Sequence, residues 1–110
     1  MGDELFLGLD IGISTVKVAL FTGQGELAAL ESDEYMVMPE GDVVEADPEI
    51  YWAPMARSIR KLLKNWGGDP QRIAAVSISS HGETVFPMRA DGRPVRKAIN
   101  WMDNRSQLES

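Results

Sequence analysis

Two short apolar runs, residues 5–9 and 16–21, flank the join Asp10-Ile11-Gly12-Ile13-Ser14-Thr15, and this arrangement constrains the chain more than anything else in it. Each run has strand length and is rich in aliphatic or aromatic residues, so the pattern predicts a strand, a tight turn and a returning strand. The join and the start of the return carry Asp10, Gly12, Ser14, Thr15 and Lys17. One carboxylate, one unhindered backbone position, two hydroxyls and one ammonium thus gather at one sheet edge, a set suited to phosphate and metal. A carboxylate at the end of a buried strand can hold a hydrated magnesium ion, which keeps several waters and takes only one or two protein carboxylates. Asp10 fits that role. Gly12 has no Cβ, so the backbone there can take positive φ and let a triphosphate approach its N–H groups closely. Ser14 and Thr15 offer hydroxyl and backbone hydrogen bonds, and Lys17 offers a point charge. The same residue types also make ordinary hairpin turns, so the turn acquires functional meaning only from the motifs further along the chain.

A chain of 110 residues suits one domain or one lobe of a larger protein. Hydrophobic residues at 44% and charged residues at 25% are globular values, so a packed core is expected in place of disorder. The formal charge of −6 provides no basic stripe to displace counterions, which argues against nucleic acid or an anionic membrane as partner. Nucleotide binding, decided by the local field, stays open. Cysteine is absent, which removes disulfides, thiolate–zinc sites and a cysteine nucleophile. No apolar run reaches membrane-spanning length, and Asp3 and Glu4 stand where a secretory signal carries positive charge, so a cytoplasmic location is expected.

Beyond the turn signal Thr22-Gly23-Gln24-Gly25, residues 26–32 read as a third strand at the edge of the sheet, with residues 35–38 as a possible extension. Residues 43–46 form a short extended lead into a helix. Asp47-Pro48 resembles an N-cap followed by proline, and Glu49 complements the helix dipole. Trp52, Met55, Ala56, Ile59, Leu62, Leu63 and Trp66 recur at helical spacing, so Trp52 and Trp66 are expected in the core. Pro54 leaves two options: a kinked helix, or a separate turn with the regular helix beginning at Ala53. Gly67-Gly68 supplies the stop. Residues 73–79 are a strand following a helix and are expected to lie parallel to the first strand, with their end facing the phosphate turn. Ligands of open α/β sheets bind beyond such strand ends, which directs interest to Ser80-His81-Gly82-Glu83-Thr84. A hairpin through Asp91-Gly92 comes next. Trp101, Asp103 and Arg105 alternate as on one face of an extended strand, with Asp103 and Arg105 as an ion pair. His81, the only histidine in the sequence, has no second His or Cys to complete a transition-metal site.

The succession of the Asp10-x-Gly12-x-Ser14-Thr15 turn, the Gly23-x-Gly25 turn, Asp47-Pro48 before a Trp-containing helix, Ile78-Ser79-Ser80-His81-Gly82-Glu83-Thr84, Asp91-Gly92 and Trp101-x-Asp103-x-Arg105 resembles the FGGY family of carbohydrate kinases along essentially the whole chain. The resemblance implies an α/β fold: a partial ribonuclease H-like, actin-type ATPase lobe, made of a three-stranded antiparallel meander followed by a helix and a parallel strand. It implies ATP and Mg2+ as cofactors, with Asp10 serving the metal and Gly12, Ser14, Thr15 and Lys17 facing the phosphates. His81, Gly82 and Glu83 fall on the acceptor motif, and Trp101 and Asp103 border the sugar site. His81-Gly82 is of xylulokinase type and Glu83-Thr84 of glycerol kinase type, and Gly82 stands where glycerol kinases carry arginine. The substrate class implied is a sugar or polyol.

In this family the aspartate that accepts the hydroxyl proton and the C-terminal domain lie further along the chain. Residues 1–110 are therefore expected to be a truncated N-terminal part of the kinase's N-terminal domain, inactive alone, with no catalytic residue of its own. A cut sheet is also expected to expose apolar surface and to favour a homo-oligomer. Three competing readings are an actin or heat-shock-type nucleotide switch, a ribonuclease H-like nuclease, and a non-catalytic assembling fragment. The first leaves the His-Gly-Glu-Thr and Trp-x-Asp-x-Arg pair without explanation.

Overall fold

The computed structural model describes residues 3–37 and 39–106. Met38, at the end of the expected extension of the third strand, lies outside them. In chain order the elements are β1 (Leu5–Ile11), β2 (Thr15–Thr22), β3 (Leu27–Glu34), β4 (Glu45–Ala46), α1 (Glu49–Trp66), a 3₁₀ turn (Pro70–Arg72), β5 (Ile73–Ser80) and β6 (Ala98–Ile99). The main sheet has the order β3-β2-β1-β5. β1, β2 and β3 form the antiparallel meander, and β5 joins β1 in parallel, as the strand–helix–strand order requires. β4 and β6 make a separate antiparallel pair.

Alternation along the strands sorts the two sheet faces. Leu5, Leu7 and Leu9 of β1 and Val16, Val18 and Leu20 of β2 point to one face and are buried against Tyr51, Met55 and Leu62 of α1. Each such side chain contributes about 1.5–3 kcal/mol when withdrawn from water. The helix packs across β2 and β3. Arg57 pairs with Asp33 at 2.9 Å, and Lys61 reaches Glu31. β5 is left uncovered on this face: Val76 and Ile78 are exposed, beside exposed Trp52 and Phe86.

α1 runs through Pro54, which is buried, so of the two options left by the sequence the restart at Ala53 does not occur. Its first turn is tight, with the Ile50 N–H donating to the Asp47 carbonyl and the Tyr51 N–H to the Pro48 carbonyl, while the Asp47 carboxylate accepts the Glu49 N–H at 3.0 Å. The buried face is Tyr51, Pro54, Met55, Ser58 and Leu62, rotated from the stripe read off the sequence, so Trp52 is 56% exposed and not in the core. Tyr51 and Ser58 each carry a hydroxyl and so fall outside a stripe defined by apolar residues alone. The Ser58 hydroxyl is buried without a partner among the described residues, a cost the surrounding packing offsets. Trp66 is half-buried and lies under the Arg72 guanidinium. Gly67 ends the helix at φ 73°, donating its N–H to the Leu63 carbonyl, as expected.

Candidate functional site

The open face of the sheet grades from apolar to polar toward the β1–β2 turn. Register pairs Phe6 with Phe21 and Ala75 in one row, and Gly8 with Ala19 and Ser77 in the next. In the row nearest the turn, Asp10 stands opposite Lys17 on one side and Ser79 on the other, with Ser32 opposite Lys17. Directly opposed residues share a face. Asp10, Lys17, Ser77 and Ser79 accordingly line a cavity of about 310 Å³. None of the ion pairs among the described residues involves Asp10 or Lys17, so both charges are available to a ligand. Asp10 is exposed and could serve as one of the one or two carboxylates that a hydrated magnesium ion takes from protein; no group of three metal-ligating side chains occurs among the described residues.

Gly12 does not use the positive φ open to it. Space favours glycine there: a Cβ would sit 3.0 Å from the Thr15 carbonyl oxygen, a contact the turn would have to yield to admit. The Gly12 N–H donates to that same oxygen at 2.8 Å and is not free to bind phosphate. Ser14 is exposed, and its carbonyl accepts the Tyr35 N–H at 2.9 Å; Thr15 is half-buried.

A tyrosine that no sequence motif marks holds this turn in place. The Tyr35 hydroxyl donates to the Gly12 carbonyl, and its ring meets Tyr51 edge-on at 5.1 Å. Burial, with smaller contributions from Tyr51 and Asp10, pushes the Tyr35 hydroxyl up to about 12, so it keeps its proton and stays a donor. Sheet register brings the tyrosine there: Glu34 is opposite Thr15, so Tyr35 emerges beside Ser14 once β2 and β3 have paired.

The second cluster leaves the end of β5. The His81 N–H donates to the Ile11 carbonyl at 2.8 Å, and its ring Nδ1 lies 3.1 Å from the Gly12 carbonyl oxygen and 3.3 Å from that of Ile11. His81, Gly82, Glu83, Trp101 and Ile13 line an open cavity of about 340 Å³. A Cβ on Gly82 would meet nothing within 4 Å. Glu83 has φ 65°, and it alone among the described non-glycine residues has positive φ. Such backbone costs about 1–3 kcal/mol and persists where surrounding structure imposes it, often at ligand sites.

Asp10 and Glu83 do not line a common cavity. Asp10 stands in the row of Lys17 and Ser79 on the sheet's open face, whereas residues 81–84 continue from the end of β5, and the two cavities share no lining residue. Asp103 lies outside both. The expected extended strand is only Ala98–Ile99, after which the chain turns, the Asp103 N–H donating to the Asn100 carbonyl. The Asp103 carboxylate, 3% exposed, accepts the Val44 N–H at 2.7 Å and pairs with Arg105 at 2.6 Å; Arg105 also reaches Glu45. It clamps two chain segments together. The Arg105 side chain holds the Asp103 carboxyl far below the usual carboxylate range, aided by the Val44 and Arg105 N–H groups.

A lowered folded-state pKa gives stability that is complete above the unfolded value near 4 and is lost as pH falls through the folded one. Asp103→Asn should therefore lower the melting temperature at neutral pH, and the gap from wild type should close only in strong acid. Thermal melts from pH 7 down to pH 2 test this; a gap already closed at pH 5 would contradict it.

The model of the FGGY family of carbohydrate kinases, N-terminal domain, matches residues 5–110. The chain belongs to that family. It is 33% identical over 102 residues to a glycerol kinase of Marinomonas sp. (strain MWYL1), a match covering 91% of this chain and 21% of that one. Among solved structures, a xylulose kinase from Brucella ovis superposes with a TM-score of 0.88 at 26% identity, covering 96% of this chain and 22% of that chain. A glycerol kinase of Plasmodium falciparum solved with ADP superposes with a TM-score of 0.78 at 18% identity, covering 96% and 22%, a likeness of fold. The chain thus spans about a fifth of the length of the relatives it matches. The α/β sheet with its parallel fourth strand is part of the actin-like ATPase fold of FGGY kinases, as the motif order implied. Among the described residues no helix is long and apolar enough to cross a membrane.

Proposed function

We propose that this FGGY chain forms the phosphate-facing and acceptor-facing part of a cytoplasmic kinase that transfers the γ-phosphoryl group of ATP to a hydroxyl of a sugar or polyol. One observation carries the reading: the segment bearing Glu83 is tied through His81 to two successive backbone carbonyls of the turn that follows Asp10, those of Ile11 and Gly12, with an open cavity on either side. Phosphoryl transfer depends on positioning and charge neutralisation more than on covalent chemistry by the protein, and two adjoining half-sites on one rigid strand end meet that demand. Asp10 would hold Mg2+, which neutralises charge developing on the phosphates. Lys17 and the hydroxyls of Ser14 and Thr15 would contact phosphate oxygens, while Gly12 acts by closing the turn. On the acceptor side, Glu83 accepts hydrogen bonds from substrate hydroxyls, Trp101 gives the apolar wall, and the bare Gly82 leaves room for the substrate. Asp103 contributes indirectly, by fixing the segment that carries Trp101.

A coupled ATPase assay of the full-length kinase across polyols, ketoses and sugar acids tests the reading. One or a few acceptors should stimulate ATP consumption; none doing so would overturn it. Glu83→Ala should raise the acceptor KM by about tenfold or more, the worth of a charge-assisted hydrogen bond, with little change in the KM for ATP. Glu83→Gly should lose acceptor affinity equally while raising the melting temperature, because glycine relieves the positive φ. A stabilised variant with unchanged acceptor KM would leave Glu83 a structural role only.

A further inference from the structure

The His81 ring is engaged at both nitrogens. Nδ1 faces two carbonyl oxygens, of Gly12 at 3.1 Å and Ile11 at 3.3 Å, and carbonyls only accept, so Nδ1 carries a hydrogen. Nε2 lies 2.9 Å from the Thr84 hydroxyl oxygen, which also accepts the Trp101 N–H at 3.3 Å. In the neutral ring with Nδ1 protonated, Nε2 offers its lone pair and the Thr84 hydroxyl donates to it. A continuous chain of hydrogen bonds thus runs from the Trp101 backbone through Thr84 and His81 to Gly12, and the Gly12 carbonyl is braced from its other side by the Tyr35 hydroxyl. Tyr51 packs on both ends, 5.1 Å from the Tyr35 ring and 5.7 Å from the His81 ring. No ring nitrogen is left to bind a substrate.

We propose that His81 is a positioning residue, a latch that fixes the acceptor segment to the phosphate turn, with Thr84 setting its ring orientation and Tyr35 holding the turn against it. This rests on the kinase reading above and deepens it. Asp10, Lys17, Ser77 and Ser79 sit on strands, whereas residues 81–84 are irregular chain beyond β5, and such a segment needs a cross-tie to keep the acceptor in register with the donor. The latch supplies one through a backbone atom, the Gly12 carbonyl oxygen, that no substitution of a phosphate-binding side chain removes.

The test uses Thr84→Val, which keeps the shape of the side chain without the hydroxyl, and Thr84→Ser, which keeps the hydroxyl. In the kinase assay Thr84→Val should lower kcat by about tenfold, the upper end for one buried hydrogen bond, with both KM values changed less. Thr84→Ser should restore turnover to within about twofold. A Thr84→Val enzyme equal to wild type, or one that raises only the acceptor KM, would overturn the latch. Independently of turnover, 15N NMR of the His81 ring, assigned by difference from His81→Gln, should show hydrogen on Nδ1; a bare Nδ1 overturns the proposal even if Thr84→Val fails to fold. Absence of wild-type turnover would instead sink the kinase reading, and the ring NMR would then decide the latch alone.

Discussion

Asp10→Asn should lower ATP-dependent phosphorylation of the acceptor at least about a hundredfold, the usual scale for losing a charge-stabilising group in a preorganised site. The amide keeps the size of the carboxylate and its place in the row with Lys17 and Ser79, so the sheet loses no packing. What disappears is the negative charge that a magnesium ion requires of the protein. The defect should therefore fall on kcat and on the Mg2+ dependence, and the acceptor KM should stay nearly constant, because the Glu83 cavity is lined by other residues. Initial rates over a range of Mg2+ at saturating acceptor check this. Undiminished turnover would remove Asp10 from the metal role.

The second large effect is on stability. Leu62 is wholly buried between α1 and the sheet, so Leu62→Ala should cost about 2–5 kcal/mol, from lost transfer energy and from the cavity left behind. For a domain whose total stability is about 5–15 kcal/mol, that is a large share. Trp52→Ala, a larger truncation by volume, should cost less than Leu62→Ala, since that ring is more than half exposed. Urea melts of both variants separate the two faces. A Trp52→Ala variant less stable than Leu62→Ala would mean that the helix is rotated toward the stripe read from the sequence.

The contrast between these residues shows where sequence reading works. Periodicity located α1 and most of its buried side, yet Tyr51 and Ser58 displaced Trp52 from the core, because burial of a helix face follows what the sheet opposite can pack and not hydrophobicity alone. β3 was legible as an edge strand, since its mixed Ala and Glu composition suits one solvated face. At the site, the types and order of residues in the turn were legible, but two specifics were not. Gly12 is favoured by the closeness of Thr15 and not by positive φ, a matter of a few tenths of an ångström. Asp103 fits a substrate-site motif by position, yet its carboxylate is occupied by Val44 and Arg105.

By itself the sequence determined the local matters: alternating Leu5, Leu7, Leu9 and Val16, Val18, Leu20 as strands of one buried face, the tight polar turn between them, the stop at Gly67, and the motif order that identifies the family. These depend on neighbours within a few residues, where stereochemistry and periodicity act directly. Tertiary structure alone decided that the Gly12 carbonyl gathers Tyr35 and His81, at separations of 23 and 69 residues, and that Asp103 clamps Val44 across 59. Hydrogen bonds between such distant partners exist only once the sheet register is set. Register itself depends on the packing of the whole buried face.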